Sequence, residues 1–87
     1  MKASRARWLL YVTDECELCD HAVAVLAEAR LPDFECVGID GDARLAARYG
    51  VRVPVLHDAV SQRELGWPFD ALDVSRFLSG ETPYSSR

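Results

Sequence analysis

Apolar and polar positions switch between strand-like and helix-like spacing along this chain. Trp8-Leu9-Leu10-Tyr11-Val12 is an unbroken apolar run that stops at Thr13-Asp14-Glu15. A short run of aromatic and aliphatic residues ending at turn formers predicts a buried strand over Arg7–Val12. From Leu18 the period lengthens. Leu18, Ala22, Val25, Leu26 and Ala29 recur at helical spacing, and alanine favours helix, so a helix is predicted from Leu18 to Arg30. Leu31-Pro32-Asp33 ends it, because the residue before a proline is driven out of helical geometry. Phe34–Ile39 returns to a strand pattern, with Phe34, Cys36 and Val37 suited to a sheet covered on both faces.

The second half repeats the alternation. Asp40-Gly41-Asp42 reads as a turn, and Asp42 as the N-cap of a short helix over Ala43–Tyr49 that stops at Gly50. Val53–Leu56 is a third strand interrupted by Pro54, which cannot donate to a ladder and so marks an edge, a strand start or a special turn. Arg63-Glu64-Leu65 is a short fourth strand, paired with the third across Asp58–Ser61. Gly66-Trp67-Pro68 turns the chain into a last helix, Asp70–Leu78, with Ala71, Val74, Phe77 and Leu78 inward.

The resulting order is β-α-β-α-β-β-α. A right-handed crossover makes the first two strands parallel. The third and fourth form an antiparallel hairpin. The expected fold class is α/β: a four-stranded mixed sheet with helices on both faces.

Length and composition narrow this further. Eighty-seven residues, 49% of them hydrophobic, suit a single globular domain over 1–87, with a core of about 7–79 and a loose tail over 80–87. The net charge of −4 argues against a nucleic-acid partner, which calls for a basic face. Lys2, Arg5 and Arg7 precede only five apolar residues, too few for a signal-peptide core or a membrane span. The cytoplasm is the expected compartment, and a monomer the expected state. Three cysteines agree with a reducing setting, since a disulfide-stapled secreted domain of this size carries four or more.

Two of those cysteines carry the chemistry. Cys16-Glu17-Leu18-Cys19 stands where the first strand feeds the first helix. Residues three apart across a helical turn lie at about the Cα separation a disulfide needs, roughly 4.4–6.8 Å. The pair can therefore open and close with little backbone motion. Cys16, at the helix start, meets unpaired N–H groups and the positive end of the helix dipole, both of which favour thiolate. Cys19 lies one turn inside. Cys16 is thus the attacking thiol and Cys19 the resolving one. Asp14, Glu15, Glu17 and Asp20 oppose a thiolate, so the pKa of Cys16 is expected below that of free cysteine but less depressed than in a strongly activated site.

Plainer readings stand beside this one. Both cysteines could be bystanders at a helix start. Cys16, Cys19, Cys36, His21 and His57 include enough ligand types for zinc, but His21 points away around the helix and no second CxxC is present. No metal site is therefore expected. Cys36 is expected as an inert core residue, His57 at a hairpin end on the surface, and Trp67 and Phe69 as core or hairpin cover. Tyr11 ends the first strand, from where its hydroxyl could reach the thiols. Pro54 is either an edge-strand proline or a cis proline that exposes backbone to an extended thiol substrate.

Leu10-Tyr11-Val12-Thr13, the CxxC, Tyr49-Gly50-Val51-Arg52-Val53-Pro54-Val55 and Glu64-Leu65-Gly66-Trp67-Pro68-Phe69-Asp70 together resemble the glutaredoxin-like branch of the thioredoxin superfamily. The likeness runs from Trp8 to about Leu78, and the Gly-Trp-Pro-Phe run is similar to a small bacterial group within it. The resemblance implies a thioredoxin-like fold and thiol-disulfide exchange with protein or mixed disulfides. It implies Cys16 as nucleophile, Cys19 as resolving thiol and Pro54 as the cis proline. The Val53 backbone would pair with a glutathione or peptide main chain. Gly66 would match the first glycine of a two-glycine turn, and Asp70 would fall near the acidic residue that holds a ligand's amino group.

Three departures bear on the substrate. Glu17-Leu18 replaces the usual Pro-Tyr, Trp67 replaces the second glycine, and Asp14 stands where a basic residue is usual. They argue against glutathione as co-substrate and leave the dithiol chemistry untouched. No other cofactor is expected. The alternative is a non-enzymatic binding module, or a metal or iron–sulfur carrier using the same cysteines.

Overall fold

A computed structural model describes residues 6–31 and 33–80 of the chain. The elements run β1 (Trp8–Val12), α1 (Glu17–Glu28), β2 (Glu35–Gly38), α2 (Ala43–Tyr49), β3 (Val55–Asp58), β4 (Glu64–Gly66) and α3 (Ala71–Leu78). The strands form one sheet in the order β2-β1-β3-β4. β1 and β2 are parallel, while β3 is antiparallel to both β1 and β4. This is the mixed four-stranded α/β architecture that period and punctuation predict.

Alternation along β1 divides the core. Trp8 and Leu10 point to the face covered by α1 and α3, where they meet Ala22, Leu26, Leu56, Val74 and Phe77. Leu9 and Tyr11 point to the opposite face, towards Ile39, Tyr49 and Val55 beneath α2. Leu10, Leu26 and Leu56 are fully buried, each burial contributing roughly 1.5–3 kcal/mol. A shift of one residue in β1 would exchange the two faces.

The helix ends have specific causes. Asp42 Oδ1 accepts the N–H groups of Arg44 and Leu45 at 3.0 and 3.1 Å, capping α2 as expected. α1 ends at Glu28, two residues before the predicted boundary. Arg30 adopts a left-handed φ of 61°, and the Leu31 N–H closes back on the Leu26 carbonyl at 3.1 Å. That closure satisfies the last helical carbonyls before the chain reaches Pro32.

Arg7 and Asp58 lock the start of β1 to the β3–β4 turn. The guanidinium donates to both carboxylate oxygens, at 2.8 and 2.9 Å. The Val60 N–H and Ser61 hydroxyl add bonds of 2.9 and 2.8 Å. These bonds, the Arg7 pair foremost, hold the buried Asp58 carboxyl well below the usual carboxylate range.

Three expectations need correction. The third strand begins at Val55, not Val53, because Pro54 lacks the N–H that a ladder needs. The shift places His57 inside a central strand, 9% exposed, rather than on a surface turn. Cys36 is exposed rather than buried, because β2 is an edge strand. Pro32, Lys2, Arg5 and residues 81–87 of the expected tail lie outside the described residues.

Candidate functional site

The sheet topology gathers most of the candidate chemistry at one end. β1 and β2 finish there, β3 begins there, and β4 finishes there. α1 and α3 both start from that end, since each follows a strand that finishes there. Cys16, Pro54, Gly66 and Asp70 are all carried to it by the backbone.

Cys16 is the N-cap of α1, with extended φ and ψ of −109° and 104°. Its Sγ accepts the Cys19 N–H at 3.1 Å, and its carbonyl accepts the Asp20 N–H at 3.2 Å. The sulfur thus occupies the place of a capping oxygen, where first-turn amides and the helix dipole stabilise negative charge. Cys16 is half-buried and Cys19 is 4% exposed. The two form a disulfide with Cα atoms 5.2 Å apart.

The approach to Cys16 is tied down by Asp40, beyond the end of β2. Asp40 accepts the Thr13 hydroxyl at 2.7 Å and the Asp14 N–H at 2.8 Å. Those bonds, Thr13's first, lower the Asp40 pKa. Glu15 completes the turn with a left-handed φ of 53°. Asp14, Glu15, Glu17 and Asp20 are all exposed. They surround the disulfide with negative charge that opposes the helix dipole.

A pocket of about 260 Å³ opens beside the disulfide. Cys16, Cys19 and Cys36 line it, together with Asp14, Glu15 and Asp20, and none of the described side chains lining it is basic. Cys36 pairs in parallel register with Leu10 and so shares the α1 face of the sheet. Partial burial of its thiol raises its pKa, although the residue as a whole is exposed. A larger open groove of about 670 Å³ follows α2 past Arg44 and Arg48. It holds no thiol and lies along an exposed stretch of helix.

The Val53–Pro54 peptide bond is cis, as is Trp67–Pro68. Tyr11 pairs with Val55, so Pro54 lies level with the end of β1. The Pro54 carbonyl accepts the Trp67 N–H at 3.2 Å, tying the proline loop to the segment after β4. The Val53 N–H is occupied by the Tyr49 carbonyl at 3.0 Å. Gly66 pairs with Val55 at the end of β4, and a Cβ there would meet nothing within 4 Å. Trp67 is half-buried and meets Phe69 edge-on at 5.0 Å. Asp70 caps α3.

Tyr11 lies near the same end of β1, in the cluster against which Val53 packs. It points to the α2 face, stacked on Tyr49 at 4.3 Å between ring centroids. Beside it lies a cluster that the sequence did not disclose. Glu64 accepts the Tyr49 hydroxyl and lies 3.2 Å from His57 Nδ1. It also pairs with Arg52 at 3.2 Å and Arg48 at 3.8 Å. Burial opposes its ionisation, but the bonds from Tyr49, His57 and Arg52 outweigh it and hold its pKa below the ordinary value. Burial and the bond to Glu64 together raise the Tyr49 pKa. The signal was parity: once Val55 faces α2, His57 must do so as well.

Among the described residues, no group of three or more His, Cys, Asp or Glu side chains is placed to hold a metal ion. Nor is any described helix long and apolar enough to cross a membrane.

Comparisons with known proteins agree with this geometry. The family model described as "Glutaredoxin-like domain (DUF836)" matches residues 7–79. The X-ray structure of protein XcR50 from X. campestris is 49% identical, with a TM-score of 0.80 over 86% of this chain and 99% of that one. Its solution structure gives a TM-score of 0.79 at 48% identity, over 91% and 99% of the two chains. Protein Ne2328 from Nitrosomonas europaea is 25% identical, with a TM-score of 0.70 over 88% and 95%. No curated protein matches the chain. With its fold, its CxxC-spaced pair and these relatives, the chain belongs to the glutaredoxin-like domain family of the thioredoxin superfamily.

Proposed function

We propose that the protein is a dithiol–disulfide oxidoreductase that reduces protein or mixed disulfides through Cys16. The observation that carries this reading is the unequal placement of the two sulfurs. One caps a helix at a pocket mouth, and the other is buried one turn inside.

In the reduced state the Cys16 thiolate attacks one sulfur of the substrate disulfide. The S–S bond breaks, and the departing thiolate takes a proton from solvent. Cys19 then gives up its proton and attacks Cys16 Sγ. The mixed disulfide breaks and the second substrate thiol leaves. Two electrons pass to the substrate, and the protein ends with the Cys16–Cys19 disulfide. An external thiol reductant returns the electrons.

In this reading an extended substrate lies across the Val53–Pro54 loop. Because the Val53 N–H is taken, its carbonyl is the group that pairs with a substrate main chain. Gly66 leaves room for that chain, and Asp70 offers a charge to a substrate amine. Tyr11 serves indirectly, as support for Tyr49. The acidic surround and Trp67 disfavour glutathione and favour a protein disulfide. We infer a monomer at work in the reducing cytoplasm, where a CxxC pair can cycle between dithiol and disulfide.

The test is turnover on a peptide disulfide and on a glutathionylated peptide, after anaerobic purification and metal analysis. A colourless, metal-free protein that reduces the peptide disulfide supports the reading. A Cys16→Ser variant with undiminished thiol exchange overturns it.

A further inference from the structure

The segment that carries Val53 and Pro54 is held from behind by one carboxylate. Glu64 is 13% exposed at its side chain and sits in β4, opposite His57. Three of its partners, Arg48, Tyr49 and Arg52, belong to the short stretch that leads into Pro54. Tyr49 holds the same stretch through its main chain: its carbonyl accepts the Arg52 and Val53 N–H groups at 2.8 and 3.0 Å. The Arg48 and Arg52 guanidinia lie 5.4 and 5.5 Å from the Tyr49 ring centre, and Tyr11 stacks on that ring. Two residues beyond Glu64, the strand ends at Gly66, and Trp67 donates to the Pro54 carbonyl at 3.2 Å. Glu64 in β4 and Trp67 just beyond it therefore fix the proline loop, one by its side chain before Pro54 and the other by a backbone bond to Pro54.

A carboxylate that only braced the sheet would find its partners on neighbouring strands. Here, among the described residues, the one strand partner is His57, and the guanidinium partners come from the last turn of α2 and the loop that follows it. We propose that Glu64, acting through Arg52 and Tyr49, is a positioning residue for the Val53–Pro54 substrate loop. The inference rests on the oxidoreductase reading and assigns a substrate-aligning role to a cluster on the α2 face of the sheet. It predicts a separation of effects. Losing the clamp weakens alignment of an extended substrate and leaves the reactivity of Cys16 unchanged.

The experiment uses the full-length, prereduced protein in single turnover against a synthetic peptide holding one intramolecular disulfide. Glu64→Gln and Arg52→Gln each raise the half-saturating peptide concentration about tenfold, the scale of one charge-assisted bond lost. The double variant resembles either single one, because both remove the same clamp. The maximal rate, and the alkylation of Cys16 by iodoacetamide, stay within about twofold of the wild type. Unchanged saturation in both variants overturns the proposal. So does a loss of alkylation in step with saturation, which marks general loosening. Arg52 is half-exposed, so its variant decides the matter if Glu64→Gln does not fold. If the wild type reduces no peptide disulfide, the oxidoreductase reading itself has failed. Hydrogen exchange then reads the clamp: the Arg52 and Val53 amides lose protection in Glu64→Gln while α1 and α3 keep theirs, and unchanged loop protection refutes it.

Discussion

Asp70 does two jobs in this account, and two substitutions separate them. Its Oδ1 accepts the Asp73 N–H at 2.8 Å, and the Asp73 carboxylate accepts the Asp70 N–H at 3.0 Å. This reciprocal cap fixes the start of α3, whose inner face buries Val74 and Phe77, the latter against Trp8. Asp70→Ala removes a side-chain acceptor at an N-cap, a loss of about 1–2 kcal/mol. In a domain of this size each kcal/mol lowers Tm by about 4–8 °C, so a fall of roughly 5–15 °C is expected. Asp70→Asn keeps an equally good cap and discards the charge, so its Tm stays within about 2 °C of the wild type. If the charge also holds a substrate amine, both variants lose affinity for a peptide with a free amino group. Thermal unfolding of the oxidised protein, followed by circular dichroism, measures the first effect, and single-turnover saturation measures the second. Asp70→Ala melting with the wild type refutes the capping argument. Asp70→Asn binding like the wild type removes Asp70 from the substrate surface.

Three further outcomes follow from single features. Gly66→Ala fills open space at an ordinary φ, so it leaves Tm within about 2 °C while reducing turnover of an extended peptide about tenfold. Unchanged turnover means that no chain lies over the end of β4. The depressed pKa of Asp58 contributes stability that is present above the unfolded carboxylate pKa, about 3.9, and lost as pH falls through the folded value. Urea midpoints should therefore fall more steeply below about pH 4 in the wild type than in Asp58→Asn, and parallel curves contradict the assignment. Peptide disulfides flanked by lysine should react several-fold faster than those flanked by glutamate, with the preference fading as salt rises above about 0.15 M. Equal rates at low salt mean that the acidic surround of Cys16 does not select substrates.

Local signals in this sequence predict elements better than neighbours. Asp42 before an alanine-rich stretch and Gly50 after it bound α2 correctly, because caps are decided by a few adjacent residues. The place of Cys16 at the helix start is equally local, since a strand pattern stops and a helical one begins beside it. Cys36 and His57 depend on strand order, which no local pattern contains. β2 has a single strand neighbour, so its apolar residues do not guarantee burial, and Cys36 is left exposed at the pocket wall. β3 lies between β1 and β4, and its start after Pro54 carries His57 inward. The Glu64 clamp was hidden for a related reason. Its partners other than His57 are twelve to sixteen residues away, and parity alone does not show that Tyr49 and Arg52 converge on one carboxylate. Tyr11 read as an end-of-strand residue near the thiols. Alternation from Leu10 turns it to the other face.

The division of labour between the two sulfurs is the centre of the account, and trapping tests it most directly. Reduced Cys19→Ser and Cys16→Ser proteins are each mixed with a peptide disulfide and analysed by non-reducing mass spectrometry. Cys19→Ser should accumulate a mixed disulfide on Cys16, because attack proceeds and resolution cannot. Cys16→Ser should accumulate little, because the remaining Cys19 thiol is buried. Equal trapping on Cys19, or no adduct in either variant, contradicts the assignment of Cys16 as the attacking thiol.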